Sequence, residues 1–227
     1  MRKVIGIGET ILDIIFKNEQ PTAAVPGGST FNGIISLGRL GVPVTMITET
    51  GNDKVGSIIK QFMNDNGVDD SCVCVYEDGR TAISLAYLNE RNDAEYTFYK
   101  DYPKARLDVE WPEVHKDDIV MMGSYFVLNP VLRNKVKEFL EYATQREALI
   151  YYDINFRPPM HQKPLSCTPP FWRTLSMPAS CVARQKISKI CSNCPTPKRP
   201  IGRRCATTAA RCSAPMPMVK SASSRPA

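Results

Sequence analysis

Two groups of residues near the N-terminus have the chemistry to bind a polyhydroxylated ligand. The segment GGSTFN at residues 27–32 opens a predicted helix, where adjacent glycines let the backbone approach a ligand and the first turn offers free N–H groups. Asp13 ends a short apolar run, which we predict to be a strand reaching the carboxyl edge of a sheet. Its carboxylate accepts hydroxyl donors, while the amide of Asn32 both donates and accepts. On spacing alone, a turn followed by a capped helix, with Ser29 as the cap, explains the same residues.

The elements that must position these residues follow from apolar periodicity. Short apolar runs predict strands, and apolar residues at helical spacing predict helices. The predicted strands are 3–8, 11–16, 44–48, 72–76, 82–88, 96–99, 119–123 and 148–154. The predicted helices are 30–40, 53–67 and 130–145. Their alternation predicts an α/β fold with a mainly parallel sheet flanked by helices. Between residues 72 and 99, three strands follow one another without a helix, which predicts a separate small antiparallel piece.

The composition changes abruptly near residue 160. Residues 1–159 contain 17 Lys and Arg against 23 Asp and Glu, whereas residues 160–227 contain 12 Lys and Arg and no acidic residue. The second part also holds 6 of the 8 cysteines and 10 of the 18 prolines, without apolar periodicity. Such a composition does not favour a packed core. We therefore predict one α/β domain at 1–157, with the antiparallel piece at roughly 72–100, and an irregular tail at 158–227.

The order of motifs resembles the PfkB/ribokinase-type carbohydrate kinases. That family's first signature has a Gly-Gly pair, an Asn shortly after, an Arg-Leu-Gly at the helix end and a Gly-x-Asp-x-x-Gly before the next helix. Here these are residues 27–28, Asn32, 39–41 and 51–56. The DINFR segment at 153–157 resembles the Asp-x-Asn-x-Arg strand end of the fructokinase and 2-keto-3-deoxygluconate kinase branch.

The resemblance implies a fold, an activity and a set of site residues. It implies a ribokinase-like domain whose small antiparallel lid covers the sugar and often joins two subunits, and ATP-dependent phosphorylation of a small sugar or sugar acid with Mg²⁺. The sugar-binding residues implied by position are Asp13, Gly27, Gly28 and Asn32, with Tyr99 and Arg157 as further contacts. Asn155 would lie near the nucleotide phosphates, and no metal ligand is implied in this chain. A salt bridge between Asp153 and Arg157 is the structural alternative.

The family's second signature, Asp-Thr-x-Gly-Ala-Gly-Asp, has no counterpart in this sequence. Its last Asp takes the proton from the sugar hydroxyl, and its glycines open a helix whose N–H groups stabilise the charge on the transferred phosphoryl group. We therefore expect this chain to be inactive as a kinase. The alternatives are a non-catalytic remnant that binds sugar or oligomerises, and a protein that binds nucleic acid through its basic tail.

A shifted reading frame beginning between about codons 157 and 162 would explain the tail. When the third base of each codon is combined with the first two of the next, residues 162–194 are compatible with an acidic, amphipathic sequence. That sequence contains I-V-R-G-S-x-E-D-F, similar to the strand–helix segment that follows Asp-x-Asn-x-Arg in this kinase branch.

Functional interpretations of the tail have less support in the residues. The pair Cys191 and Cys194, with Cys205 and Cys212, lacks the second Cys-x-x-Cys and the nearby His typical of a zinc site. The basic residues are scattered and lack interleaved aromatics, so we do not expect nucleic-acid binding.

The sequence also indicates a cellular location. No segment approaches the length of apolar sequence that a membrane span needs, and the N-terminal residues lack the apolar run of a signal peptide. Cys72 and Cys74 lie in a strand-like run and suit a reducing compartment. We expect a cytoplasmic protein without membrane contact.

Overall fold

The computed structural model of the chain describes residues 2–123, 126–153 and 179–182. Its strands are β1 Val4–Ile7, β2 Ile11–Lys17, β3 Gln20–Gly27, β4 Val44–Gly51, β5 Val68–Asp69, β6 Val73–Tyr76, β7 Arg80–Leu88, β8 Ala94–Asp101, β9 Ile119–Gly123, β10 Leu149–Asp153 and β11 Ala179–Val182. Its helices are α1 Ser29–Arg39, α2 Lys54–Asp65 and α3 Arg133–Gln145, with a short 3-10 turn at Phe126–Leu128. Asn155, Arg157 and nearly all of the predicted tail lie outside the described residues.

The main sheet is parallel and has β1 near its centre. Its order is β11-β10-β9-β1-β4-β5, and β6 pairs farther along β4. Two apolar clusters cover its faces, one built with α3 around Phe139 and Tyr152, the other built with α1 and α2 around Phe31 and Met63. The alternation of helices and strands predicted this sheet correctly, because buried parallel strands form continuous apolar runs.

The second sheet is mixed and has the order β3-β2-β7-β8. The hairpins β2–β3 and β7–β8 are antiparallel, whereas β2 and β7 pair in parallel. From the sequence, β2 was predicted to belong to the main α/β body, and no strand was predicted at β3. The missed hairpin turns at Asn18 and Glu19, which have φ of 50° and 62°, as two-residue hairpin turns require. Strand β3 was missed because it contains two prolines, which edge strands tolerate.

Strand β6 corrects the predicted composition of the small sheet. The run 72–76 was expected to belong to the antiparallel piece, but β6 pairs in parallel with the end of β4, from Thr48 with Val73 to Gly51 with Tyr76. It continues the main sheet where the two-residue β5 stops pairing with β4. The sequence could not distinguish these outcomes, because an apolar run of four or five residues suits either sheet.

Strand β11 corrects a second expectation. The α/β domain was predicted to end at residue 157 and to be followed by an irregular tail. Instead β11 pairs in parallel with β10, from Ile150 with Ala179 to Asp153 with Val182. Backbone pairing therefore extends the sheet into the segment whose composition predicted irregular structure.

Helix α2 is fixed at its start by Asp53. The Oδ1 atom of Asp53 accepts hydrogen bonds from the N–H of Gly56 and the hydroxyl of Thr81, both at 2.8 Å, and its Oδ2 accepts the N–H of Thr81 at 2.8 Å. Because Thr81 lies in β7, the helix cap also ties the main domain to the start of the second sheet. Burial raises the pKa of Asp53, but these hydrogen bonds outweigh burial and lower the pKa below its ordinary value.

The helix starts also differ from the sequence prediction. Gly28 is the N-cap of α1 and no side chain caps it, so Ser29 begins the helix and is not its cap. Helix α3 begins at Arg133, three residues after the predicted start, because Asn129 first closes a turn with the N–H of Leu132. Within the described ranges, no helix is long and apolar enough to span a membrane.

We predict that Asp53→Asn lowers the free energy of unfolding by about 1–3 kcal/mol. Asparagine caps helices as well as aspartate does, but its amide nitrogen would face the N–H of Thr81 as a second donor. Urea unfolding at pH 7 measures the effect. Asp65→Asn, at the other end of α2, is the matched control, and an equal loss in both variants would contradict the prediction.

The difference between wild type and Asp53→Asn should also depend on pH. A carboxyl whose pKa is lowered by folding contributes stability above its unfolded pKa, here near 3.8, and loses it as the pH falls through the folded value. The two proteins should therefore differ most at neutral pH and converge below pH 3.8. Unfolding curves at a series of pH values test this, and a constant difference would argue against it.

Candidate functional site

The carboxyl ends of β1 and β9 form the switch point of the main sheet. These neighbouring strands are parallel, with Ile7 paired to Met122. From β1 the chain proceeds to β4 on one side, and from β9 it proceeds to β10 on the other. Open α/β sheets bind ligands in the crevice outside the strand ends at such a point.

The first turn of α1 lies against this crevice. Gly28 has φ of 144°, and a Cβ there would lie 2.3 Å from the carbonyl oxygen of Glu9, so the position requires glycine. A Cβ on Gly123, at the end of β9, would lie 3.1 Å from the hydroxyl oxygen of Ser29. The side chain of Asn32 is exposed in the first turn of the helix. The Asn32 amide is therefore accessible beside the strand ends, next to the first-turn N–H groups of α1 that have no partner within the helix.

Asp13 reaches the same place from the second sheet. The sequence suggested that Asp13 ends a strand of the main sheet. In the structure it is instead the third residue of β2, in the second sheet. The hydroxyl of Ser84 donates to its Oδ1 atom, and a Cβ on Gly27 would lie 2.7 Å from its Oδ2 atom. Asp13, Gly27 and Gly28 are therefore neighbours, and the cleft lies between the second sheet and α1.

One face of the second sheet lines this cleft. Asp13 pairs with Ser84, and Ser84 pairs with Phe98, so the three side chains form a row on one face. Tyr99 follows Phe98, pairs with Ile83 and lies on the opposite face, where it is 54% exposed. The structure thus brings together Asp13, Gly27, Gly28 and Asn32 but does not place Tyr99 with them. A shift of one residue along a strand exchanges the two faces, and the sequence had no marker of that register.

Sequence reasoning missed two residues of the cleft. Ser84 is fully buried in an apolar strand, and only strand pairing brings it to Asp13, 71 positions away. Glu9 follows the last residues of β1, and its carboxylate accepts the Nζ of Lys100 at 2.6 Å and the hydroxyl of Tyr102. Its position directly after a buried strand was the available signal, because polar residues there lie at the carboxyl edge.

The described residues do not contain a group of three or more His, Cys, Asp or Glu suited to a metal ion. Asp153 ends β10 at the same sheet edge as the cleft and pairs with Gly123. Asn155 and Arg157 lie outside the described residues. The cleft is therefore acidic and polar on the side formed by Asp13 and Glu9, with Lys100 paired to Glu9.

Curated relatives of the chain are sugar kinases. Probable fructokinase-3 of Arabidopsis thaliana is 26% identical over 173 residues, covering 71% of this chain and 50% of the relative. The 5-dehydro-2-deoxygluconokinase of Geobacillus thermodenitrificans is 29% identical over 139 residues, covering 58% of this chain and 41% of the relative. This chain spans about half the length of the curated relatives it matches.

Solved structures share the fold. Fructokinase from Vibrio cholerae, in a form with fructose, ADP and calcium ion, aligns with a TM-score of 0.72 at 19% identity over 92% of this chain and 68% of that chain. A sugar kinase from Pyrococcus horikoshii aligns with a TM-score of 0.60 at 24% identity over 70% of this chain and 57% of that chain. At these identities the alignments establish the ribokinase-like architecture.

A match to a family model establishes the family of the chain, which the individual alignments alone do not. The model described as pfkB family carbohydrate kinase matches residues 1–170, most of the chain. Its span includes both sheets up to β10 and every described residue of the cleft. The chain belongs to the pfkB family of carbohydrate kinases.

Proposed function

We propose that the chain carries the sugar-binding half of an ATP-dependent kinase of a small sugar or sugar acid. The observation that supports this most is the convergence of Asp13, from the second sheet, with the Gly27–Gly28 turn and Asn32 at the switch point of the main sheet. Relatives named as fructokinase and 5-dehydro-2-deoxygluconokinase point to the same substrate class.

Each residue of the cleft has a definite part in this proposal. The carboxylate of Asp13, oriented by the Ser84 hydroxyl, accepts hydrogen bonds from sugar hydroxyls. The amide of Asn32 both donates and accepts, and the backbone at Gly28 lets the sugar approach the N–H groups of α1. Phe98 offers an apolar ring to the C–H face of the sugar from the same row as Asp13.

The residues present do not fit ATP and Mg²⁺. The sequence has no Asp-Thr-x-Gly-Ala-Gly-Asp segment to supply the base and the glycine-rich helix start that phosphoryl transfer requires. Among the described residues, no acidic cluster is suited to a metal ion. Solved relatives named with ATP or ADP therefore describe the intact enzyme class, and we propose that this chain binds sugar without transferring phosphate.

The opposite face of the second sheet suits a second copy of the chain. Phe16 and Tyr87 stack there with ring centroids 4.9 Å apart, and Tyr87 and Tyr99 are both substantially exposed. Exposed apolar faces of this kind mark protein contacts. We propose that this face forms a homodimer, as the family resemblance implies.

The cysteines agree with a cytoplasmic location for the proposed kinase half. Cys72 and Cys74 are free and buried near the end of the main sheet. Burial raises the pKa of both thiols, so they remain protonated and behave as small apolar residues. Free thiols are typical of reducing compartments.

Asp13→Asn should weaken sugar binding by about tenfold to a hundredfold, because a hydrogen bond to a charged group contributes about 1.5–3 kcal/mol. Titration calorimetry with D-fructose and with 5-dehydro-2-deoxygluconate measures the affinity. Asp93→Asn makes the same charge change in the distant turn of the second sheet and should bind as wild type does. Equal affinity in wild type and Asp13→Asn would remove Asp13 from the site.

Phe98 and Tyr99 form a matched pair on opposite faces of one strand. Phe98→Ala should reduce sugar affinity by roughly threefold to tenfold through loss of ring contact, an effect of about 1 kcal/mol. Tyr99→Ala should leave the affinity unchanged, because its side chain points away from Asp13. The same titrations distinguish the two, and the reverse ranking would restore Tyr99 as a sugar contact.

The purified chain should transfer no phosphate from ATP to sugar above background. The missing base and helix start account for the loss, since they stabilise the transferred group and take the proton. A coupled assay for ADP release with D-fructose measures the rate, and an intact fructokinase serves as the positive control. ATP-dependent sugar phosphate formation by the pure chain would refute the proposal of an incomplete kinase.

A further inference from the structure

We propose that Glu9 is a positioning residue that holds the second sheet over the sugar site. This inference rests on the proposed function and deepens it by naming what keeps the two sides of the cleft together. Glu9 lies in the short loop between β1 and β2, where the chain passes from the main sheet to the second sheet. It therefore belongs to neither sheet and contacts residues on both sides of the cleft.

The backbone of Glu9 supports the glycine turn. Its carbonyl oxygen would lie only 2.3 Å from a Cβ placed on Gly28, so the two segments are in direct contact. Gly28 is the N-cap of α1 and begins the turn that exposes the helix N–H groups. A displacement of the Glu9 loop would therefore displace the wall of the cleft that α1 provides.

The side chain of Glu9 holds the opposite wall. Its Oε1 atom accepts Lys100 Nζ at 2.6 Å and also accepts the hydroxyl of Tyr102. Lys100 lies two residues after Phe98 in β8, on the face that carries Asp13, and Tyr102 follows the end of that strand. Glu9 thus binds the point where the chain leaves the second sheet, more than 90 residues along the chain from its own position.

Tyr102 is itself anchored to the main sheet. The guanidinium of Arg106 lies 3.7 Å from the centroid of the Tyr102 ring, and Arg106 pairs with Glu49 near the end of β4. The side chains of Arg106 and Glu49 are only 6% and 2% exposed. Leu107 follows with φ of 53°, and its N–H donates to Glu49. The hydrogen bonds of Arg106 and Leu107 to Glu49 give Tyr102 a fixed position from which to bind Glu9, and the strained backbone of Leu107 is held by them.

Tyr102 remains a hydrogen-bond donor under ordinary conditions. Burial raises its pKa, and the neighbouring charge of Glu9 raises it further. Its hydroxyl therefore keeps its proton and donates to the carboxylate. Burial lowers the pKa of Arg106, but the hydrogen bond and charge of Glu49 reverse this and raise it, so the cation below the ring persists.

Side-chain hydrogen bonds therefore attach the second sheet to the main domain at two well-separated places. Asp53 binds Thr81 at the start of β7, and Glu9 binds Lys100 and Tyr102 at the end of β8. Loss of the Glu9 carboxylate would release only the end of β8, where the chain leaves the second sheet. Asp13, Ser84 and Phe98 would then move more freely relative to Asn32, and sugar affinity would fall although no sugar contact had been removed.

The test uses Glu9→Gln in the full chain, with hydrogen exchange of the ligand-free protein and titration with D-fructose. Glutamine keeps the size of the side chain, but it loses the charge and gives Lys100 and Tyr102 a competing donor. We expect amides of β8 to exchange about tenfold faster, those of β9 and β10 to be unchanged, and fructose affinity to fall by about tenfold.

Two further variants accompany Glu9→Gln. Tyr102→Phe removes one donor and keeps the ring over Arg106, so the variant should fold. We expect its β8 amides to exchange about threefold faster and its fructose affinity to fall about threefold. Glu138→Gln is the matched control, because Glu138 on α3 also accepts a hydrogen bond from an aromatic residue, Trp111, at 2.9 Å. It should change neither the exchange of β8 nor the affinity. If Glu9→Gln does not fold, Tyr102→Phe carries the test.

The outcomes separate this inference from the proposed function. Weaker fructose binding in Glu9→Gln with unchanged exchange in β8 would mean that Glu9 contacts the sugar directly, and would overturn a positioning role. No change in either measurement would also overturn it. If wild type binds neither D-fructose nor 5-dehydro-2-deoxygluconate, the proposed function fails, while faster exchange in the variants would still support the attachment of the second sheet.

Discussion

The close approach of helix α1 to strand β1 determines where everything else in the cleft lies. A Cβ on Gly6 would stand 2.5 Å from the side chain of Ile34, and one on Gly8 would stand 2.8 Å from Thr30. Only glycines allow the helix to lie this near the strand. Because α1 runs back from the carboxyl edge, its start is held against the ends of β1 and β9. The polar groups of the first turn are therefore presented at the switch point and nowhere else.

The sequence could predict the main sheet because its strands depend on local signals. Apolar runs and helical periodicity located β1, β4, β9 and β10, and the three helices of the described residues, to within a few residues. The second sheet depends on pairing between distant segments, which no local pattern records. Strand β3, rich in proline and alanine, resembles a loop in sequence and becomes a strand only because β2 pairs with it.

The sequence predicted which residues belong to the candidate site better than it predicted where the fold positions them. Asp13, the glycine pair and Asn32 were identified from their chemistry and their order, and the structure brings them together. The strand that carries Asp13 belongs to a different sheet from the one expected, and Ser84 and Glu9 acquire their roles through contacts across 71 and more than 90 residues. The register between β8 and β7 determines that Phe98, and not Tyr99, lies on the same face as Asp13. The residue types of β8 do not reveal that register.

The alternation of the second sheet has a consequence for how such proteins diverge. Asp13, Ser84 and Phe98 occupy one face, while Phe16, Tyr87 and Tyr99 occupy the other, on the same strands and often at adjacent positions. Substitutions at successive positions of one strand therefore reach different neighbours. A lineage can therefore change the residues that face the cleft and the residues on the opposite face separately, without changing the number or length of its strands.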